Sequence, residues 1–493
     1  MWQRLCELLE GTGDLHILVL GDFMIDRYLY GDAERISPEA PVPVLRVVRE
    51  EDALGGAGSV AADIAALGAV PHCVGVTGAG EDADRLIRLL RETGADTDGL
   101  LRVESRRTTL KTRLVGLAQH RHRQQLIRVD DETADPIDAA TEGRLLDHVE
   151  LLLDRCNVLC IEDYAKGVVT EKAARSAIAS ARKRNVPVLI DPAGSTDCVH
   201  YAGGTILTPN RTETEKLTGL KLRSLDAVRQ AKGPILAACH TEHACVTLDA
   251  DGAVLIGPGG AFEHIPTKRR DVYDVTGAGD EVLAALAVAV AAGGELREAV
   301  QLANVAGGLE VEKFGCVPIS REEVLGELLL EHARSLGKVR SMDQLLPELT
   351  RRRTSGEKVA FTNGCFDLIH AGHVATFAFC KEHADILVVG LNSDASVRRL
   401  GKGDDRPVVD QDGRAAVLAA MADVDYIVLF DDETPRALIE AIRPDVLVKG
   451  QDWEGRPIVG REIVEGCGGR VLLAPLVEGL GTSRIIERIK NSG

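Results

Sequence analysis

The sequence predicts an α/β protein whose mostly parallel sheets carry helices on both faces, divided into two or three domains. Short apolar runs alternate with helix-like runs along most of the chain, which is the pattern of strands joined by crossover helices. The 493 residues exceed what one ordinary core accommodates. A hydrophobic content of 45% with 50 glycines suits this architecture, and because only 3% of the residues are aromatic, aliphatic side chains must fill the cores.

Charge and cysteine content argue against several classes of protein. With 58 basic and 76 acidic residues the net charge is −18, which disfavours general nucleic-acid binding because affinity for a polyanion needs a basic surface. The 11 cysteines include no C-x-x-C pair, so we expect reduced thiols. The N-terminus lacks a signal-peptide pattern, and no apolar run reaches the length of a membrane span. These observations predict a cytoplasmic protein that does not bind membranes.

Residues that could bind a ligand follow several predicted strands in the first half. Asp22 and Asp26 follow the opening strand, and ligands of open α/β sheets bind at the carboxyl ends of strands. Gly55 and Gly56 precede an Ala-rich helix, where simple helix packing is an equally good explanation. Further candidates lie in a basic segment, which could equally be a solvated turn, and after the strand at residues 157–162: Arg123, Arg128 and Lys166.

The stretch D-V-T-G-A-G-D-E-V at residues 274–282 is a strong motif, because an almost wholly apolar helix follows it. Gly277, Ala278 and Gly279 would leave backbone N–H groups at the helix start open to an anion. Asp280 lies in the same turn. A carboxylate beside such a site suits phosphoryl transfer to a hydroxyl group, since the N–H groups stabilise the transferred charge and the carboxylate takes the proton. The alternative is that Asp280 only caps the helix.

The stretch T-N-G-C-F-D-L-I-H-A-G-H at residues 362–373 lies between a strand-like run and a helix-like run. Gly364 and Gly372 allow the backbone to approach a ligand closely. A helix that begins near His370 would offer N–H groups to a phosphate. His370 and His373 are three residues apart and therefore share one helical face. The alternatives are a core turn with two ordinary histidines, or a zinc pair for which no third ligand stands out nearby.

Polar residues at the ends of the following strands should serve the same site. Any one of them could be merely solvated, but their arrival at successive strand ends favours a single site. Nucleotidyl transfer needs no enzyme nucleophile, so the protein must supply alignment and positive charge. The candidates are Asn392, Asp394, Lys402, Arg406, Arg414, Lys449 and Asp452, with Thr482 and Ser483 at the start of a final helix.

The first 320 residues resemble the ribokinase/fructokinase-type sugar kinases. Residues 274–280 match their D-x-x-G-A-G-D signature, with Asp280 in the place of the catalytic base, and residues 55–58 match their di-glycine region. Residues 210–213 match their N-x-x-E motif, which implies an indirect role for Glu213 at magnesium. The resemblance implies a ribokinase-like sheet with ATP at Asn210, Glu213, Gly277, Ala278 and Gly279. It also implies a sugar site made of Asp22, Asp26, Gly55, Gly56, Arg123, Arg128 and Lys166.

The second motif resembles the phosphate loop G-x-F-D-x-x-H-x-G-H of the cytidylyltransferase-like nucleotidyltransferases, with no departure. The resemblance implies a C-terminal Rossmann-like α/β domain that acts on a nucleoside triphosphate. His370 and His373 are then catalytic residues that contact the triphosphate together with Lys402. The nucleotide-binding residues implied are Asn363, Gly364, Phe366, Asp367, Gly372, Asn392, Asp394, Lys402, Arg406, Lys449, Asp452, Thr482 and Ser483.

The fusion of these two halves resembles one family of Gram-negative bacteria, the bifunctional D-glycero-β-D-manno-heptose-7-phosphate kinase/heptose-1-phosphate adenylyltransferases. Residues 36–44, 123–128, 163–167 and 207–210 resemble segments of that family, and the similarity covers nearly the whole chain. It implies ATP- and Mg²⁺-dependent phosphorylation of heptose 7-phosphate at O1. It also implies adenylyl transfer to heptose 1-phosphate, giving ADP-heptose for lipopolysaccharide core. A homodimer, and a separate phosphatase acting between the two steps, are further expectations.

Three departures from that family fall in the kinase half. Ser59 stands where Asn is usual, Ala193 where Lys is usual, and Glu281 where a small hydroxyl residue is usual. Two alternatives therefore stay open. The same chemistry could act on another sugar phosphate, or the kinase half could be a ligand-binding module without activity.

The join between the halves is predicted from two capped helices and a basic run. Residues 320–323 read as the start of one helix, and residues 341–353 as a second helix that ends in three arginines. We therefore expect a kinase domain at residues 1–330, a linker at 331–357 and a nucleotidyltransferase domain at 358–493.

Overall fold

The computed structural model describes residues 2–118, 122–192, 194, 197–268, 270, 277–313, 315–335, 337–400 and 406–475. The chain divides into two compact units, Gln3–Val324 and Leu325–Gly493. Within the described ranges, no helix combines the length and the apolar character that crossing a membrane requires.

The first unit alternates strands with helices, as its sequence pattern predicts. Its strands are β1 (His16–Gly21), β2 (Phe23–Ile36), β3 (Pro43–Gly56), β4 (Val70–Thr77), β5 (Asp96–Arg102), β6 (Thr109–Ala118), β7 (His122–Asp131), β8 (Val158–Glu162), β9 (Val188–Asp191), β10 (Ile206–Leu207), β11 (His243–Thr247), β12 (Ala253–Gly257) and β13 (Ala261–Ile265). The helices before the boundary are α1 (Trp2–Glu10), α2 (Ala57–Ala66), α3 (Glu81–Glu92), α4 (Ala139–Leu153), α5 (Glu171–Lys183), α6 (Arg211–Thr218), α7 (Leu225–Gln230), α8 (Lys232–Cys239), α9 (Ala278–Ala291) and α10 (Leu296–Glu310). The next helix, α11 (Arg321–Ser335), begins in the first unit and ends in the second.

The main sheet has the order β13-β12-β11-β10-β9-β8-β1-β4-β5. Every neighbouring pair from β11 to β5 is parallel, and the two pairs at the other edge are antiparallel. Residues Ile17 to Leu20 of β1 are fully buried, because helices cover both faces of this central strand. The predicted mostly parallel sheet is therefore confirmed, and its carboxyl edge carries the ends of β8 and β9.

A separate four-stranded sheet in the first unit has the order β3-β2-β6-β7. Only the central pair, β2 and β6, is parallel. Residues 36–44, one of the segments that resemble the family, lie where β2 ends at Ile36 and the edge strand β3 begins at Pro43. The basic segment that contains Arg123 and Arg128, for which a solvated turn was the alternative, belongs to the strand β7. Sequence patterns did not separate this small sheet from the main one.

The second unit contains one parallel sheet of order β16-β15-β14-β17-β18, which is the Rossmann-like arrangement predicted for this half. Its strands are β14 (Val359–Gly364), β15 (Ile386–Asn392), β16 (Tyr426–Phe430), β17 (Val446–Gly450) and β18 (Arg470–Ala474). Its helices are α12 (Met342–Thr354), α13 (Ala371–His383), α14 (Asp394–Arg399), α15 (Gln411–Ala419), α16 (Arg436–Ile442) and α17 (Arg461–Gly466).

The segment 331–357, predicted as a linker, contains α12 and packs within the second unit. Leu345 and Leu349 of α12 are fully buried in a cluster that includes Phe361 of β14. Val339 forms a parallel bridge with Ile427 of β16. A helix that places two leucines in the core of the second unit contributes to the stability of that unit.

Candidate active sites

The carboxyl ends of β8 and β9 and the start of α9 surround a cavity of about 360 Å³. The cavity brings together five of the predicted kinase residues, Asn210, Glu213, Gly277, Gly279 and Asp280. The wall also includes Glu162, Asp163, Tyr164, Asp191, Pro192, Gly194, Thr208, Thr247 and Val282. Parallel strands place the residues that follow them at one edge of a sheet, so residues distant in sequence meet here.

The start of α9 has the geometry that the glycine motif predicts. Gly277 precedes the helix with φ +93°, and a Cβ built on it would lie 2.4 Å from Oε1 of Glu310. Only glycine fits this position. Ala278 and Gly279 begin the helix, where backbone N–H groups have no acceptor within the helix and can bind an anion.

Asp280 is buried in the first turn of α9 and is only 4% exposed. Burial raises the pKa of its carboxyl to about 7, while hydrogen bonds from the hydroxyls of Tyr164 and Ser59 oppose that rise. The Tyr164 hydroxyl lies 3.0 Å from Oδ1 of Asp280. A carboxyl with a pKa near neutrality can accept a proton from a substrate hydroxyl at physiological pH. Ser59, a departure from the family pattern, therefore contacts the predicted base.

Three carboxylates at this cavity form a group that fits a divalent cation. Oxygens of Glu162, Asp191 and Asp280 all lie within 4.8 Å of one another. Burial raises the pKa of both Glu162 and Asp191 well above the ordinary carboxyl range. Oε2 of Glu162 is buried and has no hydrogen-bond partner among the described residues. Magnesium binds such oxygen ligands and would neutralise their clustered charge, so these side chains fit Mg²⁺.

The N-x-x-E motif has a structural function beside the one predicted from the resemblance. The Glu213 N–H donates to Oδ1 of Asn210 at 2.9 Å, and the Asn210 N–H donates to Oε2 of Glu213 at 2.8 Å. This reciprocal pair is a capping box that fixes the start of α6. Glu213 also lines the cavity, so the indirect magnesium role predicted for it is compatible with its position.

Asp22 holds the turn that follows β8. Its carboxylate accepts hydrogen bonds from the backbone N–H groups of Tyr164 at 2.9 Å, Lys166 at 3.0 Å and Val168 at 3.3 Å. The side chain is buried, and burial raises its pKa to about 6. This geometry gives Asp22 a structural role, because both carboxylate oxygens accept backbone donors, and its predicted contact with a sugar stays a prediction.

Asp26 lies on the four-stranded sheet beside the two glycines. Its Oδ1 forms an ion pair of 2.6 Å with Nη1 of Arg113. A Cβ built on Gly55 would lie 3.0 Å from the Asp26 carboxyl, and Gly56 has φ +55° immediately before α2. The glycines thus keep space beside Asp26, which is the place predicted for the sugar.

Two of the three other predicted sugar contacts are cations that already have partners. Lys166 Nζ lies 2.7 Å from Oε1 of Glu132, and Arg128 Nε lies 2.8 Å from Oδ1 of Asp130. Arg123 belongs to β7, and its side chain is outside the described residues. Sugar binding by these three residues stays a prediction.

In the second unit, the predicted histidines lie at the start of α13, as the motif requires. His370 is the residue before the helix, and its ring stacks on that of His373 with centroids 3.9 Å apart and planes 21° apart. Burial lowers the pKa of both rings, that of His373 to about 4. The two imidazoles are therefore neutral at pH 7, and they can donate N–H groups to phosphate oxygens without carrying charge.

The residues of the phosphate loop fix one another. Phe366 has φ +47°, and its ring meets the ring of His373 edge-on at 5.2 Å. Asp367 is buried and accepts hydrogen bonds from Nε of Arg406 at 2.8 Å and from the N–H groups of Val408 at 2.7 Å and Val409 at 3.0 Å. Asp367 thus fixes the segment at 406–409 against the loop. Nucleotide binding by Asn363, Gly364, Phe366, Asp367, Gly372 and Arg406 stays a prediction.

Arg414 is an internal brace at the strand ends and not a solvent-facing cation. It is almost wholly buried, and it donates to the carbonyl oxygens of Cys365, Asn392 at 2.9 Å and Val409 at 3.0 Å. Its Nη2 also pairs with Oδ1 of Asp394 at 2.6 Å. One guanidinium therefore connects the phosphate loop, the end of β15 and the segment at residues 406–409.

The remaining residues predicted for the nucleotide occupy varied surroundings. Lys449 Nζ lies 2.5 Å from Oδ1 of Asn363 and 5.3 Å from the centroid of the Trp453 ring. The Asn392 amide donates to Oγ of Ser396 at 3.0 Å, and Asp452 is exposed just beyond β17. The predictions for Lys402, Thr482 and Ser483 lie outside the described residues.

Sequence reasoning missed three residues of the kinase site. Glu162 ends the apolar strand β8, and a charged residue at that place is a signal that could have identified it. Tyr164 follows in the same turn. Lys111 of β6 places its Nζ 4.7 Å from the centroid of the Tyr164 ring, and no local pattern marks it.

Comparison with known proteins assigns a family to each half of the chain. Residues 14–323 match the pfkB family carbohydrate kinases, and residues 361–465 match the cytidylyltransferase-like family. The bifunctional protein HldE of Geobacter sulfurreducens is 44% identical over 482 residues, covering 98% of this chain and 97% of the relative. HldE of Paramagnetospirillum magneticum is 43% identical over 489 residues, covering 99% and 98% respectively.

Solved structures show the same fold for the first unit. Phosphofructokinase-2 of Escherichia coli in complex with potassium aligns with a TM-score of 0.53 at 19% identity, over 64% of this chain and 99% of that one. Ribokinase of Arabidopsis thaliana, complexed with ribose and ATP, gives 0.51 at 21% identity, over 64% and 98%.

The full-length relatives, the two family matches and the two sites agree with one another. Enzymes of both matched families use ATP together with Mg²⁺, and the carboxylates beside Asp280 fit that ion. The chain belongs to the HldE family, as a bifunctional enzyme that phosphorylates D-glycero-β-D-manno-heptose 7-phosphate at O1 and transfers the adenylyl group of ATP to heptose 1-phosphate in ADP-heptose synthesis.

Proposed function

We propose that Asp280 is the base of the kinase reaction. The observation that supports this role most directly is its burial at the start of α9, beside the backbone N–H groups that begin the helix and within the carboxylate-lined cavity. The hydroxyl oxygen O1 of heptose 7-phosphate attacks the γ-phosphorus of ATP, its proton passes to Asp280, and ADP leaves. The N–H groups of Gly277, Ala278 and Gly279 stabilise charge on the transferred group.

Glu162 and Asp191 are the residues best placed to hold magnesium, with Glu213 acting indirectly from the same wall. When bound, the ion supplies positive charge that neutralises the phosphates of ATP. The chain's own contribution is to position these carboxylates at two neighbouring strand ends, because β8 and β9 pair in parallel and place Glu162 opposite Asp191.

His370 and His373 orient the triphosphate in the second reaction. A phosphate oxygen of heptose 1-phosphate attacks the α-phosphorus of ATP, and pyrophosphate leaves. Neutral imidazole N–H groups and the helix start at α13 donate hydrogen bonds to the triphosphate. Lys449, held at Asn363 on the neighbouring strand, supplies positive charge at the same edge of the sheet.

A substrate screen tests this assignment. The purified chain is incubated with ATP or CTP and with heptose 7-phosphate, heptose 1-phosphate or other sugar phosphates, and ADP and pyrophosphate are measured separately. We expect ADP with heptose 7-phosphate, and pyrophosphate with heptose 1-phosphate and ATP. Pyrophosphate without any ADP would support the alternative in which the kinase half only binds ligands.

Three further features belong to the same proposal. The enzyme acts in the cytoplasm, a separate phosphatase removes the 7-phosphate between the two reactions, and two copies associate through the four-stranded sheet.

The dimer is supported by apolar side chains that are about half exposed on that sheet, with exposed fractions of 49% for Val47, 55% for Val48, 55% for Ile127 and 52% for Val129. Sedimentation equilibrium tests it. A monomer at micromolar concentration would contradict the dimer without affecting the two activities.

A further inference from the structure

One face of the four-stranded sheet collects charged residues from three adjacent strands. Asp26 of β2 is the register partner of Lys111 of β6, and Lys111 is the partner of Asp130 of β7. Arg113 and Arg128 are also partners, two residues away from Lys111 and Asp130 on the same two strands. Directly paired residues, and residues two apart in a strand, share one face of a sheet. All five side chains therefore belong to the same face.

Of Arg113, Arg128, Lys166 and Lys111, the first three each pair with a carboxylate, and within the described part of the chain Lys111 does not. Arg113 pairs with Asp26, Arg128 with Asp130, and Lys166 of the turn after β8 with Glu132. Among the described residues, Lys111 forms no ion pair. It is half-buried, and burial lowers its pKa. The Asp26 carboxylate opposes this shift, while Lys166, Arg128 and Arg113 add to it. An anionic ligand would stabilise a cation in such surroundings, because it offsets the cost of partly burying the charge.

The position of Lys111 places it beside the predicted base. Its Nζ lies 4.7 Å from the centroid of the Tyr164 ring, and the hydroxyl of the same ring lies 3.0 Å from Asp280. Lys111 does not line the cavity that holds Glu162, Asp191 and Glu213. In the proposed reaction the phosphates of ATP would bind the N–H groups of α9 and the divalent cation that the carboxylates of that cavity would hold. The unpaired charge of Lys111 is therefore available to a second anion, on the side of the sugar.

We propose that Lys111 binds the phosphate group that the sugar substrate already carries, and so selects sugar phosphates over free sugars. The proposal rests on the assignment of heptose 7-phosphate as the acceptor. The ligand it predicts is a phosphate monoester dianion, bound by the Lys111 ammonium within the field of Arg113, Arg128 and Lys166. Lys111 is thus a specificity-determining residue of the kinase reaction.

Lys111→Met tests this role, because methionine keeps the aliphatic stem and removes the charge. We expect KM and the Kd for heptose 7-phosphate to rise by about 10–100-fold, the loss of one charge-assisted contact. Turnover at saturation and the Kd for an ATP analogue should change little. With unphosphorylated heptose, kcat/KM should equal that of the wild type at pH 9, where Asp280 is ionised with or without the Lys111 charge that helps to lower its pKa. Lys111→Arg should retain most of the affinity, and Lys183→Met removes an exposed lysine of α5 as a matched control.

The possible results show whether Lys111 binds the phosphate that the sugar carries or the phosphoryl group transferred from ATP. If Lys111 instead contacts the transferred group, kcat falls equally with both acceptors while the Kd for heptose 7-phosphate stays unchanged, and the proposal is overturned. An unchanged KM and Kd for heptose 7-phosphate overturns it as well. If the wild-type enzyme itself fails to phosphorylate heptose 7-phosphate, the assigned substrate is at fault. Melting temperatures of all variants identify any general loss of structure.

Discussion

The hydroxyl group of Tyr164 donates a hydrogen bond of 3.0 Å to Oδ1 of Asp280. The backbone of Tyr164 is itself fixed, since its N–H donates to Oδ2 of Asp22 at 2.9 Å. A buried carboxylate from the first strand thereby orients an aromatic side chain, and that side chain orients the base. Burial raises the pKa of Asp280 to about 7, and the Tyr164 hydroxyl is the largest of the contacts that oppose this rise.

Tyr164→Phe should therefore move the pH dependence of the kinase. The hydroxyl stabilises the ionised carboxylate, so its loss raises the pKa of Asp280 further above its ordinary range. The base must be ionised to accept a proton, and the acid limb of kcat/KM should shift to higher pH by about one unit. The rate at pH 6.5 should fall by about tenfold, while the rate at pH 9 approaches that of the wild type.

The pH profile separates this role from a merely structural one. A phenylalanine that only loosened the site would lower the rate by the same factor at every pH. Measured kcat/KM from pH 6 to pH 9.5 for both proteins, with nucleotidyl transfer as an internal control for folding, decides between the two.

Glu281 should make the first unit less stable as the pH rises. It is fully buried, its Oε2 lies 3.5 Å from the Ile319 N–H, and burial raises its pKa to about 8 from an ordinary 4.5. A carboxyl whose pKa is raised by folding makes its full contribution to the stability of the folded state below about pH 4.5. This contribution is lost as the pH rises through 8. Glu281→Gln should remove that dependence, which amounts to about 1.4 kcal/mol per pH unit across the window.

Calorimetry of the full chain at pH 5.5 and pH 8 measures this effect. The transition of the first unit is identified by its upward shift with heptose 7-phosphate. We expect Glu281→Gln to melt at a higher temperature than the wild type at pH 8, and the difference to be clearly smaller at pH 5.5. ATP affinity should not fall, because Glu281 does not line the cavity. Equal melting temperatures at both values would show that Glu281 is ionised in the folded protein.

Sequence patterns located most elements of both units, but they could not decide what several side chains contact. The apolar runs of β1 and α9 and the motif around Gly277 are local signals, and each lies where it was predicted. An aspartate that follows a strand, such as Asp22, can bind a ligand or backbone N–H groups of a neighbouring turn. The local sequence pattern is the same in both cases. Lys111 was missed because its position depends on the pairing of two strands far apart in the chain.

The position of α12 leads to a prediction about fragments. Leu345 and Leu349 lie in the core of the second unit, and residues 338–340 bond to β16. A second fragment that begins at residue 325 should fold and transfer nucleotides, whereas one that begins at residue 358 loses this packing and should aggregate. Circular dichroism and the pyrophosphate assay compare the two. If both fragments were equally stable, α12 would not contribute to the core of the second unit and the predicted linker would stand.

Asp280→Asn and His373→Ala should separate the two activities. Asparagine keeps the shape of the base but cannot take a proton, so phosphorylation should fall by about 10²–10⁴-fold while nucleotidyl transfer continues. His373→Ala removes a donor to the triphosphate and should cost a comparable factor in ADP-heptose formation alone. Each variant is assayed with heptose 7-phosphate and with heptose 1-phosphate. Loss of both reactions by either change, in a protein that stays folded, would mean that the two sites are coupled.

Arg414→Lys should impair the nucleotidyltransferase without affecting the kinase. The guanidinium of Arg414 is almost wholly buried and donates to three carbonyl oxygens while it pairs with Asp394. A lysine ammonium keeps the charge but cannot span that arrangement, and each buried carbonyl left without a donor costs about 1–3 kcal/mol. We expect a lower melting temperature for the second unit and at least a tenfold loss of adenylyl transfer, because the same carbonyls belong to the phosphate loop and to the end of β15. Arg436→Lys, at an exposed arginine paired with Glu440 and Glu462, is the matched control and should leave both properties unchanged. If the two variants melt alike and retain equal activity, Arg414 does not brace the site.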